Sequence, residues 1–113
     1  MSEYKLKNPI SEDRKKSLKS KYGNDLTVIK VKNHTKKETE NFVFKKYSME
    51  SMRNANVLLK DDNRSDFDRA TILFNDALVF GDEEAPNNVD VFPELVSHLK
   101  SLRDEVEVEV GKL

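Results

Sequence analysis

Apolar positions in this 113-residue chain fall in short groups separated by polar stretches, and the spacing within each group indicates an element. Residues 1–10 alternate Lys with apolar residues as far as Pro9 and read as a flexible N-terminal arm. Ser11 stands where a helix N-cap belongs. Glu12 and Asp13 follow in the first turn and Lys19 and Lys21 in the last, the order a helix dipole favours. Leu18 and Tyr22 lie four apart on one face and Gly23-Asn24 is a stop signal, so a helix is predicted over about 11–22. Leu26 to Lys32 is β-branched and too short for a helix, which predicts a strand. Asn41 to Lys45 predicts a second, with Phe42 and Phe44 on one face and Val43 on the other. The wholly polar stretch Asn33 to Glu40 reads as the connecting loop of a hairpin with a long charged tip. Two strands alone are marginal in water, so this ribbon must lie on helices or pair with something else.

Ser48 caps the next predicted helix, in which Met52, Ala55, Asn56 and Leu59 keep a helical rhythm with Met49 one turn earlier. Lys60 to Arg64 interrupts it. Ser65 with Asp68 is a weak capping box. The helix it opens carries Phe67, Ala70, Thr71, Phe74, Ala77 and Leu78 on one side, widened by Ile72, Leu73 and Val79, and is expected to end at Gly81. After an acidic loop from Asp82 to Val89, Asp90 is the expected cap of a last helix running through about Leu102. Phe92, Leu95, Val96, Leu99 and Leu102 face inward in that helix, and Pro93 sits in its first turn, where the missing N–H does no harm. Glu105 to Val110 alternates with period two, which suits an edge strand and equally a frayed helix end. The fold class is therefore α+β: an N-terminal helix and β-hairpin packed on a three-helix C-terminal part, with a short C-terminal edge strand as one reading of the tail. Residues 11–113 form a single domain after the arm.

Composition narrows the function classes. At 36% hydrophobic and 36% charged, the chain can bury a modest core under a heavily charged surface. It contains no cysteine, which excludes disulfides and thiolate metal sites. No apolar run approaches the roughly 20 residues needed to cross a bilayer. No hydrophobic stretch follows the first charged residues, so a secretory signal is not expected and a cytoplasmic protein, bacterial or viral, is. The net charge of −1 hides an asymmetry: residues 1–46 carry 13 Lys/Arg against 6 Asp/Glu, and residues 47–113 carry 7 against 15. A dipolar surface of this kind favours head-to-tail self-association or docking on a charged partner, unless the two charge sets simply solvate different faces.

Candidate chemistry is sparse. Asp61, Asn63, Ser65 and Asp66 suggest a calcium loop, but Asp66 occupies the position that needs Gly and Ile72 the one that needs Glu, so helix capping accounts for them better. Asp82, Glu83, Glu84 and Asp90 are too closely strung for convergent metal ligation, and His34 and His98 belong to no metal-binding pattern. No Gly-x-Ser-x-Gly elbow is present, and three glycines cannot build a phosphate cradle. No catalytic, metal or cofactor residues are therefore assigned, and the chain is expected not to be an enzyme. The lysines between Lys15 and Lys46, with Tyr22, Phe42 and Phe44 among them, allow weak phosphate contact and stacking. Lysine far outnumbers arginine, however, and the two phenylalanines are the obvious core of the hairpin, so nucleic acid is not the expected partner.

The order of elements carries a resemblance. A basic helix runs into Lys21-Tyr22-Gly23, followed by the strands Leu26 to Lys32 and Phe42 to Lys46. Ser48-Met49-Glu50 opens a helix. Then come Leu73-Phe74-Asn75-Asp76-Ala77-Leu78, the turn Gly81-Asp82-Glu83-Glu84, and Asp90-Val91-Phe92 leading into a final helix. Over roughly residues 12–103 this resembles small proteins of tailed phages and prophages that look like tail assembly chaperones. The resemblance implies a non-enzymatic helper that binds the tape-measure or tail-tube protein. The alternatives are a structural virion protein, such as an adaptor or ring subunit, and a nucleic-acid-binding accessory protein. A partner groove is expected between the helix over Met49 to Leu59 and the helix after it, with Met49 and Met52 as adaptable contacts unless both are core, and with Leu59 alongside. Lys36 and Lys37 at the hairpin tip, and Asp82, Glu83 and Glu84 in the acidic loop, are the charged candidates for partner contact.

Overall fold

The computed structural model describes residues 3–59, 66–99, 102 and 106–113, with the backbone alone at 56–59 and 66. The elements in chain order are β1 (Lys5–Leu6), α1 (Glu12–Tyr22), β2 (Thr27–Asn33), β3 (Glu38–Phe44), α2 (Met49–Leu59), α3 (Asp66–Ala77), β4 (Leu78–Phe80), a 3-10 turn (Ala85–Asn87) and α4 (Phe92–Leu99). This is an α+β fold in which the N-terminal helix and hairpin precede C-terminal helices. β2 and β3 form the antiparallel hairpin, with Ile29 opposite Phe42 and Val31 opposite Glu40. β1 joins the far edge of β3 in parallel at Glu38 and Thr39, and β4 joins the same edge antiparallel at Val43 and Phe44.

Local chemistry sets several boundaries as the sequence leads one to expect. Ser11 Oγ accepts the Arg14 N–H (3.1 Å) to open α1, and Gly23, at φ 90°, donates its N–H to Lys19 O (2.8 Å) to close it. Ser48 Oγ likewise accepts the Ser51 N–H (3.1 Å) at the start of α2. The proposed capping pair of Ser65 with Asp68, and the loop over Asp61 to Ser65, lie outside the described residues.

Elsewhere tertiary pairing overrides the local reading. Residues 1–10 were expected as a loose arm, yet Lys5 and Lys7 donate their N–H groups to Lys37 O and Thr39 O, both at 2.9 Å. The hairpin tip is shorter than expected, because Glu38, Thr39 and Glu40 belong to β3. Asn33 makes the tight turn feasible: its Oδ1 accepts the N–H groups of Thr35 (3.1 Å) and Lys36 (3.0 Å), and Lys37 takes a positive φ of 56°. The third helix stops at Ala77 instead of Gly81, since Leu78 to Phe80 are drawn into the sheet. The last helix starts at Phe92, and its cap is Asn88 instead of Asp90. Asn88 Oδ1 accepts from Asp90 N (3.0 Å) and Val91 N (3.2 Å), while its carbonyl accepts from Phe92 N (2.9 Å). α4 ends at Leu99, and Leu102 is buried beyond it. Of the expected tail strand, Glu105 lies outside the described residues, and 106–113 are exposed with no regular secondary structure.

The core sits between the sheet and α3 and α4. Phe42, Phe44, Phe74 and Phe92 meet there, with Phe74 edge-on to the other three at ring-centroid distances of 6.2, 5.7 and 5.7 Å. Such pairs contribute about 0.5–1.5 kcal/mol each beyond the area they bury. Ala70, Ala77, Leu95, Leu99 and Leu102 close the cluster. The opposite face of β3 is covered as well. Val43 is 3% exposed, Leu18 of α1 is buried, and Arg14 of α1 lies 5.4 Å above the ring of Phe80, the cross-strand partner of Val43. β3 is thus covered on both faces, which is why it is buried from Thr39 to Phe44.

Candidate functional site

The residues expected to contact a partner stand on three separate elements. Met49 is 59% exposed at the start of α2, and Met52 is half-buried one turn on, where α2 packs along α3. The side chain of Leu59 lies outside the described residues. Lys36 and Lys37 are exposed in the hairpin turn, where the Lys37 ammonium lies 5.3 Å above the Tyr4 ring. Asp82, Glu83 and Glu84 are exposed after β4 and are engaged in local turn chemistry. Asp82 Oδ1 accepts the Glu84 N–H at 2.9 Å, and Glu84 Oε2 accepts from Asn87 Nδ2 at 3.0 Å. Lys36 lines a cavity of about 40 Å³ and Asp82 an open hollow of about 440 Å³, while Met49 and Met52 line neither. Among the described residues no three His, Asp or Glu side chains converge as metal ligands would.

A larger groove lies elsewhere, between β2 and α4. It holds about 650 Å³, within the range of ligand-sized clefts, and is lined by residues 29–35 of β2 and its turn and by Asp90, Val91, Glu94 and His98. Sequence alternation built its strand wall. Ile29 and Val31 are opposite Phe42 and Glu40 and so point to the α4 side, whereas Val28, Lys30 and Lys32 are opposite Val43, Asn41 and Thr39 and point to the α1 side. On the helix wall, Val91 is buried while Asp90, Glu94 and His98 are exposed. Asp90 and Val91 also share a cavity with Asn33 and Glu38, which places the start of α4 at the hairpin-tip end of β2.

What distinguishes this groove is the backbone along its rim. β2 pairs with β3 on one side, and among the described residues no strand pairs its other side. Seven residues, Thr27 to Asn33, therefore present an unpaired sheet edge beside an open cleft in which Ile29, Val31 and Val91 lie among polar and charged residues. This combination of edge strand and flanking helix suits an extended polypeptide: main-chain hydrogen bonds hold it, and every second side chain enters the groove.

None of the groove residues is among the protein-partner contacts expected from the sequence, although Lys30 and Lys32 belong to the lysines considered for phosphate contact. The signal was present in the alternation of Val28, Lys30 and Lys32 with Ile29 and Val31, which marks a two-faced strand. It does not say which side of that strand lacks a neighbour. No protein-family model, no curated protein and no solved structure matches the chain.

Proposed function

We propose that this chain is a non-enzymatic protein-binding module of phage tail assembly, a chaperone that takes an extended segment of the tape-measure or tail-tube protein onto the free edge of β2. The observation that carries the binding reading is the seven-residue edge flanked by the groove of about 650 Å³. The assembly setting comes from the resemblance of residues 12–103 to tail assembly chaperones. The two fit together, because an assembly chaperone must hold a partner segment by reversible and sequence-tolerant contacts. Edge pairing supplies these, since most of its hydrogen bonds are made by backbone. The exposed lysines of β2 would then favour a client segment with acidic residues at alternate positions.

Co-expression with the tape-measure protein and with the tail-tube protein tests this reading. The expected result is that one of them stays soluble and that amide exchange at residues 27–33 slows in the complex. Unchanged exchange at those residues with both partners would sink the binding mode. Recovery of the chain from purified virions at a fixed stoichiometry would replace the chaperone by the alternative, a ring or adaptor subunit.

A further inference from the structure

β2 and the segment Val106–Val110 complement each other residue by residue. Along β2, Ile29 and Val31 turn toward α4, and Lys30 and Lys32 toward the opposite face. Along the segment, Val106, Val108 and Val110 alternate with Glu107 and Glu109. Laid beside β2 with its valines over the groove, the segment brings both glutamates onto the face of the two lysines. The reverse orientation would turn the glutamates toward Asp90 and Glu94 on the α4 wall, so the acids of that helix select the first.

The segment is uncovered on its own molecule. Val106, Val108 and Val110 are 77%, 79% and 92% exposed and have no regular secondary structure. The molecule measures 61 × 37 × 26 Å with a radius of gyration of 16.5 Å. A compact domain of 100 residues has about 13 Å, so the chain is more extended than a compact domain of its size.

We propose that β2 of one copy takes the segment Val106–Val110 of a second copy as an added strand. This rests on the reading of β2 as a strand-accepting edge and names a partner for it. The charges make the contact selective. β2 against β2 would set lysines against lysines and the segment against itself glutamates against glutamates, and like charges directly opposite are unfavourable. Only the pairing of one with the other is attractive. The same logic runs through the whole chain, since β2 belongs to the basic stretch 1–46 and the segment to the acidic stretch 47–113. The two patches differ, so the contact closes either as a reciprocal exchange between two copies or as a head-to-tail ring.

A charge-exchange experiment on the full chain tests this. The unsubstituted chain, with no other protein present, is expected to self-associate in sedimentation experiments across a dilution series, with slower amide exchange at residues 27–33 at higher concentration. Lys30→Glu with Lys32→Glu in one chain, and Glu107→Lys with Glu109→Lys in another, should each weaken association about tenfold or more. A mixture of the two variants should associate again, as should one chain carrying all four changes. These positions are solvent-facing in the structure, and circular dichroism checks that each variant is folded. A monomer at every concentration overturns the inference. So does association that survives both charge reversals or deletion of residues 105–113. Slow exchange at residues 27–33 that is independent of concentration and lost on that deletion overturns it too, because the segment would then dock on its own molecule. Client binding is read separately, by exchange at residues 27–33 in the deletion variant with tape-measure or tail-tube protein added. A slowdown there with no self-association in the full chain removes only the second-copy inference, and self-association with no client effect removes only the chaperone reading.

Discussion

The two long edges of the hairpin meet opposite fates. The outer edge of β3 is sealed along its length by two pieces of chain far apart in sequence. Lys5 and Lys7 of the β1 stretch donate to Lys37 O and Thr39 O. The Asn8 side chain then takes the place of a strand residue, accepting the Asn41 N–H at 2.7 Å and donating to Asn41 O at 2.8 Å. β4 pairs at Val43 and Phe44, and Lys45 donates to Ala77 O at 2.9 Å. The outer edge of β2, only one strand away, has no strand on it among the described residues. Burial follows the same division: β3 is buried over six consecutive residues, whereas on β2 only Val31 reaches that class. A protein that merely needed to avoid edge pairing had the means at hand, since a side-chain amide and a three-residue strand suffice on β3. The open edge beside a groove is thus the part of the sheet left available for contact, and its lysines decide which strands are accepted.

Several substitutions would break or sharpen this contrast. Phe42→Ala strikes the strand both edges share, at a fully buried ring that touches Phe44 and Phe74, and should cost about 3–5 kcal/mol in denaturant unfolding. Both edges would be lost together. Gly81→Ala attacks the sealed side alone. Gly81 has φ 135°, and a β-carbon there would lie 2.8 Å from Phe42 Cδ1 and 3.1 Å from Asn41 O. Strain and crowding together should cost about 2–4 kcal/mol by the same measurement. Asn8→Ala removes the amide that stands in for a strand and leaves the Asn41 N–H without its partner, for about 1–3 kcal/mol. Amide exchange at Lys5 and Lys7 should then accelerate while β2 keeps its rate. Lys30→Gln with Lys32→Gln on the open edge should change the stability of the dilute chain by no more than about 1 kcal/mol, because both side chains are exposed and the contact of Lys32 with the Tyr4 ring, at 5.8 Å, is a solvent-facing cation–π pair. A large loss there would mean that the two edges are energetically alike, and the contrast would fail.

Much of the fold was legible one element at a time. Ser11 and Gly23 bound the first helix because capping is decided within a few residues of chain. Phe42 and Phe44 could be placed on one face, and Phe92, Leu95 and Leu99 on another, because side-chain period follows directly from backbone geometry. The misplaced boundaries all involve partners distant in sequence. Leu78 to Phe80 continue a helical rhythm in the sequence and become a strand because β3 offers them hydrogen bonds from more than thirty residues away. Lys5 to Asn8 look like a loose arm until the same strand fixes them. The expected contact residues fared likewise. Their exposure or charge was readable, but no local rule says whether Met49, Lys36 and Asp82 share a surface, and they line no common cavity among those described.

By itself the sequence determined the α+β class, the caps that open α1 and α2, the two-faced character of the hairpin and the opposed charges of β2 and of the stretch around Val108, since each is set by neighbouring residues. Only the tertiary structure decided which edge of the sheet is closed, which stays open, and that α4 stands beside the open one to make a groove. The reason is that strand pairing is satisfied by whatever backbone arrives. The order of arrival depends on how α3, β4 and α4 pack around Phe42, Phe44 and Phe74, and no stretch of chain carries that packing within itself.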